Sequence, residues 1–88
     1  MQQDEFIALL AREAFQETVT VQREANGEMD IHTHPFEAKA LILQGQLQIS
    51  VEGVERLYRP GDVFHLAANQ PHAERYGPDG VTYLVGRK

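Results

Sequence analysis

Three of the four histidines lie where they could bind one metal ion together. His32 and His34 are separated by a single residue, and His72 follows a turn-forming stretch much later in the chain. Side chains at positions i and i+2 of a β-strand project from the same face, with Cα atoms about 6.5 Å apart. Two such imidazoles can bind one ion at about 2.0–2.1 Å, and a third from a neighbouring strand would leave open positions for a ligand. The pattern predicts a metal site beside a small-molecule substrate or ligand. The fourth histidine, His65, is expected to pack within its strand and not to bind metal.

Two further side chains are candidates for chemistry at this site. Glu74 and Tyr76 follow His72 by two and four residues, so in a regular strand all three share one face. We expect Glu74 or Tyr76 to move a proton during catalysis, and Glu74 could also approach the ion or hold its water. The alternative for Glu74 is an ion pair with a rim or surface arginine such as Arg75 or Arg23.

The elements that must position these residues are predominantly β-strands. Turn signals such as Asn26-Gly27 and Pro60-Gly61-Asp62 separate short runs of strand-forming residues. In one run, apolar Leu47 and Ile49 alternate with polar residues, which indicates one buried face. The predicted strands cover residues 18–24, 29–34, 38–43, 46–51, 54–58, 62–66, 72–76 and 81–85. Many short strands with regular turns predict a sandwich or a barrel.

One amphipathic helix is predicted before the strands, over about residues 4–16. Asp4 can cap it, and its apolar residues recur at intervals of three and four. We expect the helix to pack on the barrel or on a partner subunit, and to take no part in chemistry.

Composition limits the class of protein. The chain has 88 residues, which is one small domain with a modest core, and it has no cysteine for disulfides or thiolate ligands. A bound metal and a homodimer are the expected additional sources of stability. The net charge of −5, with scattered Lys and Arg, argues against a nucleic-acid partner. Without a leader or an apolar run of about 18 residues, neither secretion nor membrane insertion is expected. We predict a cytoplasmic location, which the absence of cysteine fits.

The order of these features resembles the cupin superfamily, specifically its small single-domain, RmlC-like members. The first cupin motif contains a glycine, His-x-His, a glutamate and a second glycine, and here it runs from Gly27 through His32 and His34 to Gly45. The second motif begins at Gly61 and contains His72. The resemblance covers about residues 18–86. It implies an all-β fold, the cupin double-stranded β-helix or jelly-roll barrel, with one short N-terminal α-helix and a single domain over residues 1–88.

The resemblance also implies a set of metal ligands. His32, His34 and His72 match the histidines that hold one divalent transition metal in this family, with Zn, Fe, Ni, Mn and Co all open. The ligand glutamate of the family falls at Ala38, and the nearest carboxylate is Glu37. A shift of one residue along a strand turns a side chain to the opposite face. Glu37 is therefore a fourth metal ligand only if the backbone after Pro35 is irregular.

Two functions stay open on the sequence. The first is a metal-dependent enzyme acting on a small molecule, since the resemblance implies reactions such as oxygenation, isomerisation or decarboxylation. The second is a non-catalytic small-ligand-binding or sensor cupin, which would act through another chain because no helix-turn-helix is present. Whether the protein is an enzyme is left undecided by these residues. A metal-free structural barrel is a third reading, against which the histidines argue.

Overall fold

The computed structural model describes all of residues 1–88 and has the predicted all-β fold with one N-terminal helix. Its elements are α1 (Gln3–Arg12), β1 (Glu17–Arg23), β2 (Glu28–His32), β3 (Ala38–Val51), β4 (Val54–Tyr58), β5 (Val63–Leu66) and β6 (His72–Arg87). All strand pairs are antiparallel. No helix has the length and apolar character needed to cross a bilayer.

The two long strands, β3 and β6, are shared by two sheets. The first half of β3 pairs with the second half of β6, from Ala38 opposite Arg87 to Gly45 opposite Val81. Strands β1 and β5 flank this pair, giving the order β1–β6–β3–β5, which we call sheet I. The second half of β3 pairs with the first half of β6, and β2 and β4 flank it in the order β2–β6–β3–β4, which we call sheet II. The two sheets together make the jelly-roll barrel predicted from the cupin resemblance.

Both long strands bend where sheet I meets sheet II, at positions that the sequence marks as turns. We predicted that strands end at Gly45 and at residues 77–80, and this is wrong, because both strands continue through these points with shifted register. Residues 77–80 bulge opposite the single residue Gln46. Gly45 has a φ of +76°, and a Cβ there would lie 2.0 Å from the carbonyl oxygen of Gly80. Only glycine can lie so close to the carbonyl oxygen of Gly80, so the turn signal at Gly45 marks a bend within one continuous strand. The eight predicted strands are therefore six in the structure.

The main core lies between the two sheets. Alternate residues of each strand face it, as the period of two requires. Its buried members are Ala38, Ala40, Ile42, Leu47, Ile49, Phe64, Leu66, Tyr76, Val81, Tyr83 and Val85. The outer face of sheet I carries a second cluster, in which Leu41 and Leu84 pack against Phe6, Leu10 and Phe15 from the N-terminal segment. The helix therefore packs on the barrel, as predicted.

The helix begins one residue earlier than predicted and ends four residues sooner. Its N-cap is Gln2, whose backbone N–H donates to Oε1 of Glu5 over 3.3 Å, so Asp4 lies in the first turn and the predicted cap is corrected. The carboxylate of Asp4 accepts from the N–H of Glu5 instead. The helix ends at Arg12 because Ala14 adopts a left-handed conformation with a φ of 62°.

Candidate metal centre

Strands β2 and β6 bring the first two histidines together. His32, the last residue of β2, lies opposite His72, the first residue of β6. A β-bulge in β2 then places Met29, not Asp30, opposite Glu74. The bulge therefore gives the barrel interior an apolar side chain beside Glu74 and leaves the carboxylate of Asp30 on the exposed side.

Four side chains converge at this point. The potential ligand atoms of His32, His34, His72 and Glu74 all lie within 4.8 Å of one another. Oε2 of Glu74 is 3.4 Å from Nε2 of His32 and 3.4 Å from Nε2 of His72. Two ligand atoms held about 2.1 Å from one ion at a tetrahedral angle lie about 3.4 Å apart, so these separations suit a shared ion.

Hydrogen bonds to the backbone fix the tautomers of two of the rings. Nδ1 of His32 is 2.7 Å from the carbonyl oxygen of Asp30, and Nδ1 of His72 is 2.9 Å from that of Gln70. A carbonyl oxygen only accepts, so both Nδ1 atoms carry a proton, and in the neutral imidazoles both Nε2 atoms expose lone pairs.

These two Nε2 atoms are buried and have no hydrogen-bond partner. The nearby carboxylate oxygen of Glu74 cannot donate a hydrogen bond when it is ionised. Its lone pairs repel the lone pairs of the two Nε2 atoms unless a cation lies between the oxygen and the rings. Imidazoles that donate from Nδ1 to a carbonyl and present a bare Nε2 are the usual arrangement of metal-binding histidines. The residues present therefore fit a metal ion.

His34 completes the cluster just after the end of β2. Its carbonyl oxygen accepts from the N–H of Asn69 over 2.7 Å, and its ring stacks on Phe36 with centroids 5.1 Å apart. Burial lowers the pKa of His34, and the neighbouring His32 and His72 lower it further. The fold therefore favours the neutral imidazole, which is the form that binds metal.

Tyr76 contacts the cluster through Glu74. Its hydroxyl donates to Oε1 of Glu74 over 3.4 Å, while Oε2 faces the histidines. Burial and then the charge of Glu74 raise the pKa of Tyr76, so the phenol stays protonated and acts as a donor. His72, Glu74 and Tyr76 are all buried on one face, as their spacing predicts. The alternative partner Arg75 contacts Glu28 instead, with Nε 3.8 Å from its carboxylate. Catalytic roles for Glu74 and Tyr76 stay predictions.

Glu37 does not join the cluster. Its N–H and carbonyl pair with the backbone of Lys88 over 2.8 and 3.0 Å, so the chain is extended here. The next residue, Ala38, faces the core, and the side chain of Glu37 takes the other face, where Oε2 lies 2.5 Å from Nε2 of His65. The chain does bend at Pro35 and Phe36, but Glu37 itself pairs with Lys88 and turns its carboxylate to His65, so the expectation of Glu37 as a fourth metal ligand is corrected.

The expectation that His65 packs within its strand is also wrong. Phe64 and Leu66 face the core, so His65 must face outward, and its side chain is 50% exposed. Its ring pairs with Glu37 and not with the backbone. His65 remains outside the metal cluster, as predicted.

A cavity of about 70 Å³ adjoins the cluster inside the barrel. His34, His72 and Glu74 line it together with apolar side chains and two arginines, Arg23 and Arg87. Arg87 was not predicted as a site residue, and Arg23 was predicted only as a partner for an ion pair. The available signal is strand alternation, because both arginines continue the inward-facing rows of β1 and β6.

Comparison with known proteins gives the family. A family model described as "Cupin domain" matches residues 19–82, so the chain belongs to the cupin family. No curated protein sequence matches the chain.

Solved structures share the fold. A protein of unknown function from Rhizobium leguminosarum is 14% identical with a TM-score of 0.75, covering 80% of this chain and 66% of its own. An RmlC-like cupin from Shewanella frigidimarina is 18% identical with a TM-score of 0.68, covering 80% and 63%. The DMSP lyase DddQ from Ruegeria pomeroyi is 29% identical with a TM-score of 0.73, covering 81% and 36%. The chain thus spans less than two thirds of the length of these proteins.

Proposed function

We propose that this cupin is a metal-dependent enzyme acting on a small molecule, with one divalent transition metal held by His32, His34, His72 and Glu74. The observation that carries the proposal is the pair of buried Nε2 atoms, on His32 and His72, that lack any partner. A buried polar atom without a hydrogen bond costs about 1–3 kcal/mol. One ion between these atoms and Glu74 would remove that cost at both rings and screen the carboxylate from their lone pairs.

The donor set leaves the identity of the metal open. Three imidazoles and one carboxylate suit Zn, Fe, Ni, Mn and Co. When bound, such an ion would supply Lewis-acid or redox chemistry to a ligand in the cavity. Glu74 would hold or move a proton at its carboxylate, and the hydroxyl of Tyr76 would keep that carboxylate oriented.

One similar protein supports an enzymatic role. DddQ, at 29% identity, is a DMSP lyase, so the cupin fold at this level of similarity carries lyase activity in that protein. This chain covers 36% of DddQ, and the substrate of DddQ is not transferred to it. The alternative function is a non-catalytic small-ligand-binding or sensor cupin.

Elemental analysis is the first test, on untagged protein purified without metal-affinity chromatography. We expect near one ion per chain in the wild type and in the His65→Ala control, whose ring lies outside the cluster. The His72→Ala variant should lose the ion. Absence of metal from the wild type, even after reconstitution, would overturn the proposal.

The identity of the metal then directs the assay for turnover. Iron would direct the search to oxygen-consuming reactions, and zinc or nickel to isomerisation and elimination. An enzyme should lose turnover in Glu74→Ala and His72→Ala. A ligand that raises the melting temperature of metal-loaded protein, with no product detected, would favour the binding module.

We also propose that the chain forms a homodimer through the outer face of sheet II. This face has no helix over it, and two of its hydrophobic side chains are exposed, Ile31 by 75% and Leu57 by 47%. A small single-core domain gains stability from such an association. Light scattering of the wild type and of Leu57→Glu tests it, because a dimer should become monomeric in the variant.

A further inference from the structure

We propose that the cavity beside the metal cluster binds a small organic carboxylate, and that Arg87 is the residue that anchors it. The inference rests on the proposed metal-dependent function, because the end of the ligand away from Arg87 would face the metal. It names the class of substrate for that same site. Three observations carry it: an enclosed guanidinium donor without a partner, the balance of charge around the cavity, and the size of the cavity.

Arg87 contacts two side chains beside the cluster. Its guanidinium carbon lies 4.9 Å from the ring centroid of Phe36, and Phe36 in turn stacks on His34. Its Nη1 donates to Oε1 of Glu17 over 3.2 Å, which fixes one side of the planar fork. Its Nε–H is enclosed and donates to nothing in the protein. A guanidinium presents its donors in a fixed fork that matches a carboxylate, so a carboxylate in the cavity would supply the missing acceptor.

The charges around the cavity favour an anion. Arg23 and Arg87 line it with a single carboxylate, that of Glu74, and Arg87 is also paired with Glu17. Arg23 forms no ion pair. With Glu17 counted, the two arginines and the two carboxylates cancel, so a divalent ion at the cluster would make the cavity positive, in a chain whose net charge is −5. A carboxylate is the common organic group that balances such a positive field.

The two arginines have different roles. Arg23 lies opposite Val81, and Arg87 follows Val81 by six residues on β6, so their backbones are about 20 Å apart along the sheet. They therefore flank the cavity from opposite ends and do not grip one carboxylate together. Arg87 has the buried Nε–H without an acceptor, and its guanidinium also contacts Phe36 and Glu17. Arg87 is therefore the residue that anchors the carboxylate. Arg23 contributes positive potential.

The size of the cavity limits the ligand. About 70 Å³ of space is room for about five water molecules, at about 10–15 Å³ for each. A carboxylate of about five or six non-hydrogen atoms fills it. A second oxygen on that molecule would face the metal cluster, so glycolate and pyruvate are suitable probes.

The test uses the full chain, metal-loaded and metal-free, with glycolate as the probe and the uncharged glycolamide as its matched control. Binding is measured by calorimetry and by the shift in melting temperature. Arg87→Met removes the donors and keeps an unbranched side chain over Phe36. Arg75→Met is the matched control variant, because Arg75 does not line the cavity and its side chain is 71% exposed.

We expect glycolate to bind the metal-loaded wild type and Arg75→Met equally, and to bind Arg87→Met at least about 10-fold more weakly. Glycolamide should bind none of them. Equal glycolate affinity in Arg87→Met and wild type, or equal affinity for glycolate and glycolamide, would overturn the inference. If Arg87→Met does not fold, Arg87→Lys replaces it, since it keeps the charge, loses the fork and should still bind more weakly.

Metal content, measured on the same samples, separates this inference from the proposed function. If the protein retains one ion per chain but does not bind glycolate, the carboxylate site is overturned and the proposed metal centre still stands. Protein that binds no metal overturns the proposed function. In that case weaker glycolate binding by Arg87→Met than by the metal-free wild type supports the carboxylate site by itself, and equal or absent binding overturns it as well.

Discussion

His32 and His72 are register partners across β2 and β6, and each ring donates from Nδ1 to the carbonyl of the residue two positions before it. The same local geometry, repeated on two strands, leaves both Nε2 atoms 3.4 Å from one oxygen of Glu74. Backbone carbonyls alone set these ring orientations. The cluster is therefore preorganised, and an ion that binds there has little rearrangement to drive.

The choice between the two carboxylates can be tested directly. Glu74→Gln should lower metal affinity about 10–100-fold, because the amide keeps the shape and removes the charge that faces the histidines. Glu37→Gln is the matched control and should leave affinity unchanged, since Glu37 pairs with His65 outside the cluster. Competition with a chromophoric chelator gives both affinities. A larger loss of metal affinity in Glu37→Gln than in Glu74→Gln would restore Glu37 as the ligand.

Mild acid should destabilise the protein. The fold lowers the pKa of His34 below its ordinary 6.5. Between 6.5 and that lower value the unfolded chain binds more protons than the folded chain, so stability falls as the pH falls through this window. Protons also compete with the metal for the imidazoles, so metal-loaded protein should lose more stability in mild acid than metal-free protein.

Melting temperatures at about pH 7.5 and pH 5.5 check this expectation. In metal-free protein, His34→Gln should show a smaller fall than the wild type, because the titrating ring is gone. Equal melting temperatures of wild type at the two pH values, with metal retained, would contradict it.

A methyl group at Gly45 should cost far more stability than one at Gly53. Both glycines have positive φ, 76° and 78°, so Ala is strained at either position by about 1–2 kcal/mol. A Cβ at Gly53 meets nothing within 4 Å, whereas at Gly45 it lies 2.0 Å from the carbonyl oxygen of Gly80. We expect Gly45→Ala to lose at least about 3 kcal/mol in urea denaturation. Similar losses in the two variants would mean that β3 and β6 separate easily at their bend.

The helix should stabilise the barrel without affecting the metal cluster. Leu10 is 1% exposed against the outer face of sheet I, and Leu10→Ala should lower the free energy of unfolding by about 2–5 kcal/mol. Ile7, on the same helix, is 48% exposed, and Ile7→Ala should change it by less than about 1 kcal/mol. Metal content per folded chain should be the same in both. Loss of metal in folded Leu10→Ala would show coupling between the helix and the site.

Much of the cluster could be predicted from spacing alone. The two-residue steps from His72 to Glu74 and Tyr76 follow the period of a strand, and the structure keeps that period in β6. The spacing of His32 and His34 also brings both rings to the cluster, although β2 ends at His32. The same period of two argued against Glu37 as a metal ligand, and in the structure its carboxylate contacts His65 outside the cluster.

The remaining features depend on contacts that are distant in sequence. The bulge that brings Met29 opposite Glu74 arises from pairing between β2 and β6, and no local residue type signals it. The continuity of β3 through Gly45 depends in the same way on the carbonyl of Gly80. Strand alternation indicates that Arg87 faces inward, but its position beside His34 depends on the long pairing of β6 with β3 and β1.

Because β3 and β6 belong to both sheets, neither half of the barrel can open independently. The strand that begins with His72 also carries Leu84, which packs against the helix on the far side of the molecule. Amide protons in the two halves should therefore exchange with solvent through one global opening, at a common rate for their slowest members. An ion bound by His72 would then slow exchange at Leu84 as well, so a hydrogen-exchange experiment could detect loading of the site from the opposite end of the protein.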